Sequence, residues 1–569
     1  MGRAFGAVLW LVALLPILAL GPAAVLDRGP GGSVRATPFP AALAALDPFV
    51  WVCARNSLMV AIAVTAAAGV LGVSLARMTV GWRFWGRRPL ACLACAGMAA
   101  HPAFGAIGLR WAMVRNGPGD IGPSLAGWLA WTWAAVAAAG PIVALAAASS
   151  LRRVNPAWDD AARLAGAGRG RTWRQLVWPL VRPDVARVLA LVFGLTLLDP
   201  GAPLVLGLRR TLGFQIVASA LAARQPGQLS RAVVLALMGT LMALIGRELL
   251  QLWGRSRPAG LDETSQPVSH PETVSWRQSS ILGLSFSLAV ALLWLPLLTL
   301  LAASFDVLGP TSRPTSGRSL AAYRALAADP LAQRFVMNSL VLALAVLAVD
   351  LVLARALAGL MGVFRGRFAA VARWPGAIPP LAVGVGALAL PALIGMTADL
   401  LTMHSGAAIS LEWLGSAFRQ VSDTLDVDRT PGVLLLIGVA TARLSLAARS
   451  AVVQRRAVRA SPIDAAVVLG ATPGRARRKL GGGWLLGVSP AAAALTFALA
   501  ATSPVPALVL APTAETRPVG PAILALADDP DAGLARAAAL ATVAVAVNLA
   551  ALALAAPGRF AQARPWLDG

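Results

Sequence analysis

Runs of about twenty apolar residues, parted by arginine clusters or by Gly/Pro-rich polar stretches, recur along the whole chain and predict membrane-spanning helices. The first extends from Phe5 to about Leu26 behind Arg3. The run is long and no clear small-x-small cleavage site ends it, so it is expected to be a retained helix with its N-terminus in the cytoplasm. Further spans are expected from Asn56-Ser57-Leu58 to Leu75, Leu90 to Leu109, about Leu125 to Ala148, about Val185 to Leu206 and about Ala232 to Leu252. His101-Pro102 lies in the middle of the third and predicts a kink there. Asp199-Pro200-Gly201-Ala202-Pro203 in the fifth predicts a broken helix end lining a cavity, because free backbone groups and charge are tolerated at membrane depth only against protein or water. Asp199, with Pro200 and Pro203, is the one intramembrane pathway candidate of this first set.

The pattern then repeats. Gly254 to Ser279 is polar and rich in Pro, Ser and Glu, as a cytoplasmic linker would be, and parts residues 1–253 from residues 280–569. Asn338-Ser339-Leu340 opens a span as Asn56-Ser57-Leu58 does, at an offset of 338 minus 56, or 282. The run Ile378 to Gly384 echoes His101 to Gly108, and Ser503-Pro504-Val505-Pro506 takes the place of Asp199 to Pro203 without the acid, which adds Pro504 and Pro506 to the pathway candidates. Asp464 stands 304 residues after Asp160, so about twenty residues are inserted in between; the acidic outer segment Thr397 to Thr430 is where they are expected, as a solvated loop. With the final span at about Leu534 to Ala555 and the C-terminus returned to the cytoplasm, the expectation is an all-α polytopic membrane protein of about twelve transmembrane helices, arranged as two tandem six-helix domains in parallel orientation.

Composition agrees. Hydrophobic residues make up 58% of the 569 residues and charged ones 13%, with a mean hydropathy of +0.72, whereas soluble proteins carry about 25% charged residues. In such a chain the net charge of +24 speaks of topology rather than of nucleic acid, since basic residues gather in cytoplasmic loops. Arginines crowd residues 151–183 and 450–487, which places both stretches inside. Cys92 and Cys95 have redox or zinc spacing but no further thiols nearby, and suit small-residue helix packing. Lys479 follows Arg478 and precedes Leu480, so no phosphate-binding loop exists; no H-E-x-x-H or G-x-S-x-G occurs, and no active site or metal site is expected.

The two arginine-rich loops carry the most specific signal. Asp160, Ala161 and Ala162 are followed by Gly166, which can end a helix, and by Pro179, which is expected to stop the next one. A short helix, a turn and a basic second helix make a docking loop. The spacing of Asp160, Ala161, Ala162, Gly166, Leu176, Trp178 and Pro179 resembles the cytoplasmic "EAA" loop of the permease subunits of ATP-binding cassette importers, with Asp for Glu. Asp464, Ala465, Ala466, Gly470 and Leu480 repeat it, and Gly483 stands where the proline would be. The resemblance implies that each loop seats on a separate cytoplasmic ATP-binding subunit, two copies in all, that ATP is used by that partner with no cofactor bound here, and that a periplasmic binding protein delivers solute across a bacterial inner membrane. A fused pair of such domains looks most like the ferric iron importers, with thiamine and 2-aminoethylphosphonate permeases as alternatives. A secondary transporter of the major facilitator type is the rival reading, through Gly81-Trp82-Arg83-Phe84-Trp85-Gly86-Arg87-Arg88.

Overall fold

In a computed structural model the residues described are 14–24, 26–28, 34–36, 47–116, 124–154, 156–255, 272–306, 319–361, 378–403, 409–425, 432–444, 467–472, 490–511, 513–529 and 533–555. Helix α1 covers Leu14–Ala23. It is followed by α2 (Pro48–Gly81), α3 (Arg87–Ala96), α4 (Pro102–Asn116), α5 (Leu125–Leu151), α6 (Pro156–Leu164), α7 (Arg169–Thr172), α8 (Trp178–Leu197), α9 (Gly201–Val205), α10 (Leu212–Leu221) and α11 (Gln228–Gly254). The later elements are α12 (Trp276–Ser304), α13 (Ala321–Ala328), α14 (Pro330–Met361), α15 (Pro380–Met403), α16 (Ile409–Thr424), α17 (Gly432–Leu444), α18 (Pro490–Thr502), α19 (Ala507–Leu510), α20 (Val519–Ala527) and α21 (Gly533–Ala555). Among the described residues eight helices are long and apolar enough to cross a membrane, and nine if the bent pair Arg87–Ala99 and Pro102–Arg115 is one span. The protein is an all-α polytopic membrane protein. Its strands, among the described residues, are confined to two short pairs, Leu26–Arg28 with Val34–Ala36 and Trp82–Arg83 with Glu272–Thr273.

Three expectations are corrected. Helix α2 begins at Pro48, eight residues before Asn56, because Asp47 accepts a hydrogen bond from Phe49 N at 2.9 Å and Pro48 fits the first helical turn. Pro179 does not stop a helix: the chain from Arg169 to Val205 passes through it as one span. A π turn over Trp173–Val177, closed by Trp178 N on Trp173 O, opens the ladder just where the proline ring and its missing N–H would break it. The acidic segment after Thr397 holds a helix, α16, folded back on α15 by Arg419 to Asp399 (3.0 Å) and Ser422 Oγ to Pro391 O (2.8 Å). The kink at His101-Pro102 is found, as a turn of 96°.

Asn56 and Ser57 face inward from α2 and fix the break that follows α8. Asn56 Nδ2 donates to Arg210 O at 3.0 Å, and Ser57 Oγ accepts from Leu212 N, the first amide of α10, at 2.9 Å. Asn338 and Ser339 on α14 do the same. Asn338 donates to Glu515 O at 2.7 Å, and Ser339 accepts from Val519 N, the first amide of α20, at 2.7 Å. The pairs spaced 282 residues apart thus make matching bonds, each asparagine to the carbonyl two residues before the capped amide, Arg210 O or Arg517 O (3.3 Å), with Glu515 O added in the second.

The helix after each of the two Pro segments packs on a helix of the other series. On α4, a Cβ added to Gly108 would overlap Leu300 N and stand 2.7 Å from Pro296 O of α12, so the two backbones touch. On α15, a Cβ at Gly386 would overlap Pro16 O of α1. Each glycine is the seventh residue of a helix that starts with proline, and each partner carbonyl belongs to a proline within a helix, Pro296 or Pro16. Close backbone approach of this kind is what small residues permit between helices in lipid. Indole bonds add to the α12 contact, Trp133 to Leu292 O (2.9 Å), Trp294 to Leu93 O (2.8 Å) and Trp111 to Asp306 (2.6 Å). Away from these contacts α12 exposes Ile281, Leu284 and Leu288, a face suited to acyl chains.

Candidate functional site

Two regions bring functional residues together: the loop between α5 and α8, and a polar seam where three helices break.

In the loop, α6 ends in a six-residue cap. Ala167 N donates to Ala162 O and Gly166 N to Arg163 O, both at 2.9 Å, with Gly166 at φ 78°. This is the paired bonding of a Schellman motif. A Cβ at Gly166 would meet nothing within 4 Å, so the left-handed backbone alone demands glycine there. Asp160 and Ala161 are exposed, Ala162 is half-buried, and Leu164 is 91% exposed at the tip. Between α6 and the turns after it lies an apolar cleft of about 430 Å³ lined by Trp158, Ala161, Ala162 and Leu176, with Arg171 and Gln175 at its edge. Pro179 lies behind the cleft, just after the π turn.

The loop is held rigidly at its roots. Asp184 on α8 accepts from Ser150 Oγ at 2.5 Å and pairs with Arg153 and Arg187, which ties the end of α5 to α8. Arg77 at the end of α2 stacks 4.5 Å from the Trp173 ring, and Trp178 lies between Trp173 and Trp253 with centroids at 6.3 and 5.9 Å. The second loop is described only at 467–472. There Gly470 is again left-handed, at φ 89°, with its N–H on Val467 O at 3.0 Å, and Val468 and Leu469 are 86% and 87% exposed. Asp464, Ala465 and Ala466 lie outside the described residues.

At the seam, α8 ends where Pro200 and Pro203 deny it further amides, and Asp199 caps the short α9 by accepting from Gly201 N at 2.9 Å. Asp199 is 7% exposed, so its carboxylate is enclosed by protein. Its Oδ2 has no hydrogen-bond partner, and the buried indole N–H of Trp131 on α5, also without one, is directed at this carboxylate. His101, at the break between α3 and α4, accepts from Ala103 N at 3.2 Å, and its Cε1 would be 3.3 Å from a Cβ on Gly201. The corresponding break at Pro504 and Pro506 has Ser503 Oγ donating to Val505 O at 3.0 Å. Arg443 of α17 reaches the same carbonyl at 3.4 Å and lies within electrostatic range of His101 and of Asp350 of α14. Asn548 of α21 closes the group, donating to Ala99 O and to Thr502 Oγ1 at 2.8 Å each.

Asp199 is therefore one of several polar groups set among these apolar helices, with Asp350, Arg443 and Asn548. Asp350, Arg443 and Asn548 escape a reading of the sequence because each is a single polar residue in an apolar run, and arginines there speak first of topology. An acid in the middle of Leu344 to Leu353 is the available signal. Comparison with protein-family models and with characterised proteins gives no match for this chain.

Proposed function

We propose that this chain is the membrane-spanning permease subunit of an ATP-binding cassette importer, moving a small solute from the periplasm to the cytoplasm on ATP hydrolysed by separate subunits. The observation that carries the reading is the exposed short helix ended by a left-handed glycine at Gly166 and the same glycine turn at Gly470, each with bare aliphatic side chains beside it. A helix tip of this form suits a cleft on a soluble partner, and two of them suit two ATP-binding subunits. The identical Asn and Ser bonds at 56–57 and 338–339 support two equivalent six-helix domains, parallel in the membrane, with twelve spans between them. On this reading the shorter apolar helices α1, α17 and α18 count as the first, tenth and eleventh spans. Coupling arises from differential contacts: closure of the ATP-binding pair favours one position of the two loops, and α8, continuous from loop to break, carries that preference to Asp199.

The resemblance offers ferric iron as the first cargo to test, then thiamine and 2-aminoethylphosphonate. The test is uptake into vesicles holding this chain, its ATP-binding subunits and its binding protein, with Gly166→Asp for comparison. Uptake that needs ATP and collapses with Gly166→Asp is expected. Uptake driven by an ion gradient without the ATP-binding subunits, and indifferent to Gly166, would replace this reading with a secondary transporter.

A further inference from the structure

Three apolar helices have their ends at one place: α2 stops at Gly81, the bent pair of α3 and α4 starts at Arg87, and α12 starts at Trp276. The run from Trp82 to Arg88 lies between them, outside both docking loops. Phe84 anchors it. That side chain is buried against Phe286 of α12, with ring centroids 5.5 Å apart, and its neighbours Arg83 and Trp85 are turned outward and exposed. A turn follows, closed by Arg87 N on Phe84 O at 3.3 Å, with Gly86 left-handed at φ 77° and Trp85 at its corner. Arg83 and Arg88 flank this turn, and both lie within electrostatic range of Arg87, whose Nη1 donates to Trp82 O at 3.3 Å. Among the described residues none of these three arginines is paired with a carboxylate, whereas Arg153 and Arg187 at the root of the loop after α5 share Asp184.

The second series of helices supplies the other wall. Trp82 and Arg83 pair in parallel with Glu272 and Thr273, Trp85 N donates to Ser279 Oγ at 3.1 Å, and a Cβ on Gly283 would be 3.4 Å from Trp85 O. Trp276 stands about one helical turn before Ser279, and Trp276 and Trp85 are 83% and 88% exposed. Two bare indoles at the ends of apolar helices, beside three guanidinium groups without countercharge, do not suit open water. They suit the headgroup layer, where indoles settle and phosphates supply the missing charge. We infer that this patch binds an anionic phospholipid, its phosphate received by Arg83, Arg87 and Arg88 and its glycerol region covered by Trp85 and Trp276. A soluble anion would neutralise the arginines and leave both indoles bare, and a zwitterionic lipid would bring an ammonium into a basic site. Because the arginines follow α2 and Trp276 opens α12, the bound lipid joins the first series of helices to the second. The inference needs only the membrane reading and goes beyond the importer reading without depending on it.

The test is saturation binding of labelled phosphatidylglycerol to the full chain in detergent micelles, with phosphatidylcholine, glycerol phosphate and polyglutamate as competitors. Phosphatidylglycerol is expected to saturate a site from which each competitor displaces it at least ~10-fold less well than unlabelled phosphatidylglycerol does. Attraction of about 5-fold per arginine at an anionic surface predicts ~5-fold weaker binding in Arg88→Gln and ~25-fold weaker binding when Arg83→Gln is added. Both side chains are exposed, so these variants are expected to fold. Arg277→Gln removes an equal, exposed charge beside Trp276 but about 200° around α12 from Ser279, and is expected to change binding less than ~2-fold. Equal displacement by phosphatidylcholine overturns the selection for charge. Displacement by glycerol phosphate or polyglutamate as effective as by the lipid assigns the patch to a soluble anion or to an acidic protein and overturns the lipid site. A loss in Arg277→Gln equal to that in Arg88→Gln reduces the effect to diffuse charge and overturns it too, as do binding unchanged in the double variant and absence of saturable binding. None of these outcomes bears on ATP-driven uptake, so the importer reading stands or falls separately.

Discussion

Replacing Gly108 by alanine tests the contact between α4 and α12. The new methyl would overlap Leu300 N and stand 2.7 Å from both Leu300 Cα and Pro296 O, and all three are backbone atoms that cannot swing aside. Non-bonded heavy atoms settle at about 3.5–4.0 Å, so the helices must part by about 1 Å along their line of contact. Overpacking of this kind costs about 1–3 kcal/mol, and a backbone-to-backbone clash belongs at the upper end. Gly140 on α5 is the matched control, since its added Cβ would meet only Leu293 Cδ2 of the same helix α12, at an ordinary 3.5 Å. There alanine should be neutral, or stabilising by up to ~1 kcal/mol through helix propensity. The assay is the fraction of detergent-solubilised protein that stays monodisperse after heating, read by size exclusion. Gly108→Ala should lose its monodisperse peak at a lower temperature than the unmodified chain, and Gly140→Ala should not. Equal thermal tolerance of the two variants would refute the argument that the backbones are in contact.

Ser57→Ala and Ser339→Ala each remove the acceptor of a buried helix-start amide and should destabilise by about 1 kcal/mol apiece, with faster hydrogen exchange confined to Leu212 and Val519 respectively. At Gly166 the left-handed backbone should tolerate asparagine better than alanine, which costs about 1–2 kcal/mol there, so uptake should fall more in Gly166→Ala than in Gly166→Asn. Arg110 Nη1 ties Val205 O at 2.9 Å to Ala527 O at 3.2 Å, joining the ends of α9 and α20. Arg110→Ala should therefore speed the reaction of a Leu208→Cys variant with an impermeant maleimide; an unchanged rate would show that the joint is not a closure.

Local chemistry is readable where one residue type forces one conformation. Gly166 as a helix terminator, the break at Asp199 to Pro203 and the bend at His101-Pro102 all follow from proline and glycine geometry, and all are found. Pro179 misleads, since its effect depends on whether the preceding turn can widen, and the π turn at Trp173–Val177 shows that it can. The Asp47-Pro48 start of α2 is legible too, but the repeated Asn-Ser pair draws the eye past it, and the purpose of that pair lies in bonds to residues more than 150 positions away. Asp350 and Arg443 show in the sequence only as isolated charges, because their nearness depends on how α14 and α17 pack. The same holds for Gly108 and Gly386, which resemble any other glycines until Pro296 and Pro16 are laid against them.

That last pairing sets a timetable for synthesis. Helix α1 leaves the ribosome long before its groove on α15 exists, some 360 residues later. At ~5–20 residues per second it waits roughly 20–70 s among lipids with Pro16 and its carbonyl uncovered. The groove at Gly108 stays open in turn until α12 is inserted. Neither the earlier nor the later helices cover these faces alone, so a quality-control protease that samples unpaired spans would see the chain as unfinished until its last third is made. Severing the polar stretch near residue 265 should not free two stable bodies, yet coexpressed fragments should find one another by trading their leading helices.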